Sequence, residues 1–88
     1  MPSSSRSLVQ LFQRAMRLSP QAFEQFLTDM LTPQEISELQ LRWEIVQRLH
    51  RGIPQREIAQ SLGVGIATVT RGSRALQASK GGIKALLA

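Results

Sequence analysis

The stretch QREIAQSLGVGIATVTR, Gln55 to Arg71, decides the fold. Ala59 stands four residues before Gly63, and Gly63 six before Val69, which is the spacing of a helix-turn-helix. In such a unit two short helices cross closely, so the residue at the crossing must be small, as Ala59 is. The sharp turn needs a positive φ, which glycine adopts without steric cost. Ile58, Leu62, Val64 and Val69 then point inward and join both helices to the rest of the domain. Ile66, Ala67, Thr68, Thr70 and Arg71 are left facing outward, and they suit a DNA major groove. Thr and Ala meet a thymine methyl, Thr also hydrogen-bonds base edges, and Arg holds a guanine or a phosphate.

Charge is distributed to match. Up to Leu41 the chain carries Arg6, Arg14 and Arg17 against four acids, Glu24, Asp29, Glu35 and Glu38. From Arg42 onward eight basic residues face only Glu44 and Glu57, and no acid follows Glu57. The formal net charge of +5 is therefore concentrated around the motif, the footprint of a phosphate-binding surface.

With 88 residues the chain makes one helical domain, too small to bury more than about 60–65% of its unfolded surface. It has no Cys and one His, His50, so neither a disulfide nor a thiolate or imidazole metal cluster can staple it. Oligomerisation is the remaining device, and an apolar content of 42% is enough for helices that share a core between two copies. No apolar run approaches the ~20 residues of a transmembrane helix. The opening MPSSSRSLVQLFQRAMRL is Ser-rich and free of acids until Glu24, as transit peptides are, but Leu8, Leu11, Phe12, Ala15 and Met16 read equally well as a helix face.

Strand signals are absent, and the predicted fold class is all-α. A first helix is expected from about Ser7 to Arg17. A second begins after Ser19 as N-cap with Pro20 as first helical residue, burying Phe23, Phe26, Leu27 and Met30. Thr32-Pro33-Gln34-Glu35 is a capping box and starts a third helix that ends near Gly52. On it Ile36, Leu39, Trp43, Val46 and Leu49 form one apolar stripe, with Leu41 and Ile45 on another side. A helix apolar on two sides in so small a domain argues for cover from a second subunit, and Trp43 reads as core or dimer packing rather than as a ligand platform. The expected division is therefore dimerisation helices over 1–52, the helix-turn-helix over 54–77, and a short C-terminal segment over 78–88. Within that last segment Ser79 to Gly82 is a break, and Ile83 to Ala88 is long enough for one further helical turn.

Two segments, LTPQEISELQLRWEIVQRLHRG and QREIAQSLGVGIATVTRGSRALQ, together resemble the bacterial tryptophan repressor family, above all in LTPQE, Arg42 and GIATVTRGS. The resemblance covers roughly residues 30 to 77. It implies an intertwined homodimer that binds double-stranded operator DNA when loaded with L-tryptophan, a non-covalent corepressor, with no metal. It implies that the indole stacks between Arg42 and Arg71, with Thr32 at the ligand carboxylate, Val46 on the apolar floor and Gly72 leaving room beside Arg71. The ligand ammonium would go to backbone carbonyls near Asp29 and Leu31 of the other subunit. Stacking of a planar guanidinium on an aromatic face is sound chemistry on its own terms.

The chain departs from the family's pattern where Ala75 replaces a serine that offers the ligand a hydroxyl. Ala59 replaces a lysine able to contact DNA, leaving Gln55 and Arg56 with the recognition helix to do more. The loop GIPQ is one residue shorter. The function implied is a cytoplasmic, tryptophan-dependent repressor of tryptophan biosynthesis or transport genes. The alternative is a helix-turn-helix regulator that answers to a different ligand or to none. An enzyme is disfavoured, because the chain has no Cys nucleophile, metal cluster or paired-carboxylate motif.

Overall fold

Capping residues and glycines set where the helices begin and end. The computed structural model describes residues 3–87, with side chains from residue 6 onward. It contains α1 (Ser3–Ala15), α2 (Pro20–Met30), α3 (Pro33–His50), α4 (Gln55–Leu62), α5 (Ile66–Ala78) and α6 (Gly82–Leu87), with no strand among the described residues. The chain divides into two compact units, one running through Ser37 and the other from Glu38 onward, the division falling inside α3.

In the first unit α1 begins at Ser3 rather than Ser7, since serine is only a mild helix breaker. It stops at Ala15 rather than Arg17. There the backbone tightens, and the amides of Arg17 and Leu18 donate to the carbonyls of Arg14 and Ala15 at 3.2 and 3.0 Å. Ser19 then caps α2, its Oγ accepting the Ala22 amide at 3.2 Å, with Pro20 first in the helix. Phe12 meets Phe26 edge-on, centroids 5.9 Å apart, and Phe23 packs beside Phe26 at the same distance. The second helix nevertheless buries no residue completely. Phe23, Phe26 and Leu27 are half-buried and Met30 is 59% exposed, because one neighbouring helix covers only one flank of a short helix.

The capping box at the start of α3 forms as expected: the Thr32 amide donates to Glu35 Oε1 at 2.9 Å and the Glu35 amide to Thr32 Oγ1 at 3.1 Å. These bonds hold the Glu35 carboxyl below its ordinary pKa, the backbone amide of Thr32 contributing most.

The second unit has a core of Ile45, Ile58, Ala59 and Val69, with Leu41, Leu49, Ile53, Leu62 and Val64 packed against it. Ile58 and Val69 are 0% exposed and Ile45 1%; burying such a side chain contributes about 1.5–3 kcal/mol. The same closure ends α3 and α4. Gly52 (φ 83°) and Gly63 (φ 67°) take the left-handed conformation, and the next residues, Ile53 and Val64, donate to the carbonyls of Arg48 and Ala59 at 3.1 and 3.0 Å. That leaves Ile53 and Val64 to fold back onto the core. Arg48 ties the two helices on their polar side, its Nε donating to Glu44 at 2.9 Å and its Nη1 to the Ser61 hydroxyl at 2.6 Å.

The two apolar sides of α3 part company. Leu41, Ile45 and Leu49 pack with the helix-turn-helix, so Leu49 does not belong to the stripe in which periodicity placed it. Leu39 is exposed and Trp43 is 36% exposed. The fifth helix runs one residue beyond the expected end, to Ala78. After a break at Gly81 (φ 127°) α6 begins at Gly82, one residue before the expected Ile83; Ala88 lies outside the described residues.

Candidate nucleic-acid interface and ligand cavity

Gly63 turns the chain by permitting a backbone conformation that a Cβ disfavours, and this directs α5 away from α4 while Val69 anchors it in the core. Ile66, Ala67 and Arg71 are exposed along α5, as the outward face requires, and Arg56 is exposed on α4. Thr68, Thr70 and Gln55 differ, being half-buried. The Thr70 hydroxyl lies 2.9 Å from Gln55 Oε1 and 3.0 Å from the Ile66 carbonyl, so it donates within the motif. Arg71 Nη2 donates to Thr68 Oγ1 at 3.3 Å, one turn back on the same helix. Three of the residues read as groove contacts are thus also joined to one another or to the backbone. Serine and threonine side chains make such bonds readily, and their effect here is to fix which faces of Gln55 and Arg71 remain outward.

Behind this surface α3, α5 and α6 enclose an open cavity of about 870 Å³. It brings together Arg42, Val46, Arg71, Gly72 and Ala75, five of the seven residues associated with a ligand in the sequence. The remaining two, Leu31 and Thr32, belong to the first unit, where Leu31 closes α2 by donating its amide to the Leu27 carbonyl and Thr32 caps α3. Two guanidiniums from different helices, an apolar floor at Val46 and a wall from Leu39 and Trp43 make a donor set suited to an aromatic carboxylate. No group of three or more His, Cys, Asp or Glu able to hold a metal occurs among the described residues.

Gly72 has a second reason to be glycine. A Cβ built on it would lie 2.7 Å from Ile45 Cγ2, so α5 crosses α3 at a distance that only a bare backbone allows. The glycine sets the depth of the cavity through helix packing as much as by leaving space beside Arg71.

Sequence reading did not assign Glu38, Thr68, Trp43, Ile83 or Leu86 to this cavity, yet all five line it. For Glu38 a signal existed, since it precedes Arg42 by four residues and shares its helix face. Trp43 was read as a packing residue; within this chain it stands partly exposed at the cavity wall. Ile83 and Leu86 carry no local signal, because only the return of α6 brings them there.

Comparison with known proteins bears on the same residues. A family model described as Trp repressor protein matches residues 6–88. The chain belongs to the Trp repressor family. Among curated relatives it is similar to a Trp operon repressor homolog of Vibrio cholerae, 43% identical over 83 residues, covering 88% of this chain and 81% of the relative. A Trp operon repressor homolog of Vibrio parahaemolyticus is 46% identical over 72 residues, 76% of this chain and 70% of the relative. One of Vibrio atlanticus is 46% identical over 66 residues, covering 74% and 67%. No solved structure matches. Membership in the Trp repressor family makes the protein a DNA-binding regulator of transcription and not an enzyme. Its all-α fold with a helix-turn-helix agrees with that class. No helix among the described residues is long and apolar enough to cross a membrane.

Proposed function

We propose that the protein is an L-tryptophan-dependent repressor, a cytoplasmic homodimer with intertwined helices that acts on genes of tryptophan biosynthesis or transport. The observation that carries this reading is the convergence of Arg42 from α3 and Arg71 from α5 on one cavity directly behind the recognition helix. Two guanidiniums suit an indole face and a carboxylate, and Val46 offers the rings an apolar floor. The exposed Leu39 and Trp43 of α3 support a second copy as cover for that face.

Arg71 links the ligand to the DNA. Its guanidinium lines the cavity while its helix presents Ile66, Ala67 and Thr68 for the groove. A ligand held by Arg71 and Arg42 favours one placement of α5 relative to α3. In a dimer that placement sets two recognition helices one turn of B-DNA apart, ~34 Å, as is general for dimeric helix-turn-helix proteins. Gln55, Arg56 and Thr70 contribute backbone contacts that fix register. The DNA and the ligand select the same arrangement, so each must tighten binding of the other by the same factor.

Calorimetric titration with L-tryptophan, repeated in the presence of operator DNA, tests the reading. Binding should occur and should tighten when DNA is present. Absence of binding, with another amino acid or indole binding instead, would replace tryptophan as the ligand. That second reading is favoured by Ala75, which brings no hydroxyl to the cavity.

A further inference from the structure

An α-amino acid presents a carboxylate and an ammonium attached to the same carbon, so a site that recognises both ends needs donors for one and an acceptor for the other. Arg42 and Arg71 are donors only. Thr68 Oγ1 already accepts from Arg71, Ala75 has no polar atom, and the Trp43 indole can only donate. Among the described residues that line the cavity, Glu38 is the one carboxylate. It lies four residues before Arg42 on α3, one helical turn away on the same face. The other carboxylates of this helix are engaged elsewhere: Glu35 in the capping box and Glu44 with Arg48.

We propose that Glu38 receives the ammonium end of the ligand, and so is the residue of this chain that selects an α-amino acid over the same aromatic acid lacking the amine. The inference rests on the L-tryptophan reading of the cavity. Glu38 already engages a protein group, and a carboxylate with two oxygens and about four lone-pair sites accepts from more than one donor. Placed beside two guanidiniums it also prevents the cavity from favouring any small anion indiscriminately, because a ligand carrying only negative charge meets Glu38 as a like charge. The zwitterion is matched at both ends.

The test compares two ligands on two proteins. Wild type and Glu38→Gln are titrated by calorimetry at one salt concentration with L-tryptophan and with indole-3-propionate, which keeps the ring and the carboxylate and lacks the amine. Glu38 is exposed, so the variant should melt with the wild type. L-Tryptophan affinity should fall about three- to tenfold, as for loss of a charge-assisted hydrogen bond at a part-exposed site. Indole-3-propionate affinity should stay level or rise. Equal loss for both ligands, or no loss for L-tryptophan, overturns the assignment of Glu38 while leaving the cavity as the tryptophan site. A wild type that binds neither ligand overturns the tryptophan reading and the role of Glu38 with it.

Discussion

Replacing Gly72 by alanine should destabilise the protein although alanine is the better helix former. The added Cβ would sit 2.7 Å from Ile45 Cγ2, with Ile45 Cβ at 3.7 Å and Leu49 Cδ1 at 3.8 Å. Carbon atoms in favourable contact stand about 3.5–4.0 Å apart, so the overlap with Cγ2 is about 1 Å. Ile45 cannot give easily. It is 1% exposed, and a β-branched side chain in a helix has one strongly preferred χ1. Overpacking at a rigid site falls at the upper part of its usual range, about 2–3 kcal/mol. Alanine returns about 0.8–1.0 kcal/mol in helix propensity, leaving a net loss of about 1–2 kcal/mol. Thermal melts at a fixed protein concentration should show a fall of about 4–16 °C. The same substitution in an Ile45→Leu background removes the γ2 methyl that clashes, and there it should cost much less or become favourable. If Gly72→Ala raised the melting temperature of the otherwise wild-type protein, the close crossing of α5 over α3 would be refuted, and with it the part of the cavity's shape that depends on this glycine.

Two further outcomes follow from the site and from the cap. Ala75 is exposed and lines the cavity, so Ala75→Ser should strengthen L-tryptophan binding by up to roughly tenfold through one added hydrogen bond, with little change in melting; calorimetry showing equal or weaker binding in a normally stable protein would place the ligand elsewhere. Because the Glu35 pKa is lowered by its bonds to Thr32, the stabilisation it brings is complete above the ordinary carboxyl range and is lost as pH falls through the depressed value. Thr32→Ala should lower the melting temperature at neutral pH and flatten that acid-side loss, and parallel stability–pH curves for the two proteins would rule out the contribution.

Local chemistry was legible in the sequence wherever a residue acts on its own neighbours. Ser19 and Pro20, and Thr32 with Glu35, start helices through bonds that span three residues, so their positions could be read directly. Gly63 was readable for the same reason, since its turn is a property of one backbone angle. Boundaries governed by weak preferences were less so, as at Ser3 and Ala15. Burial along α2 and α3 was misjudged because periodicity identifies an apolar face without saying how much of it another helix covers. Met30, Leu39 and Trp43 are apolar and stand exposed within the chain.

The sequence by itself determined that the chain is helical, that residues 55–78 form a turn between two helices, and that the basic charge lies around that turn. Spacing, caps and charge are one-dimensional quantities, and short-range interactions carry them into the structure unchanged. Only the tertiary structure decided that Arg42, Arg71 and Glu38 share a cavity with Ile83 and Leu86, that Thr70 is bonded to Gln55, and that Gly72 is required by Ile45. These pairs are brought together by the angle and depth at which helices pack. That geometry is set by a few buried contacts among Ile45, Ile58 and Val69, whose reach along the chain no local pattern records.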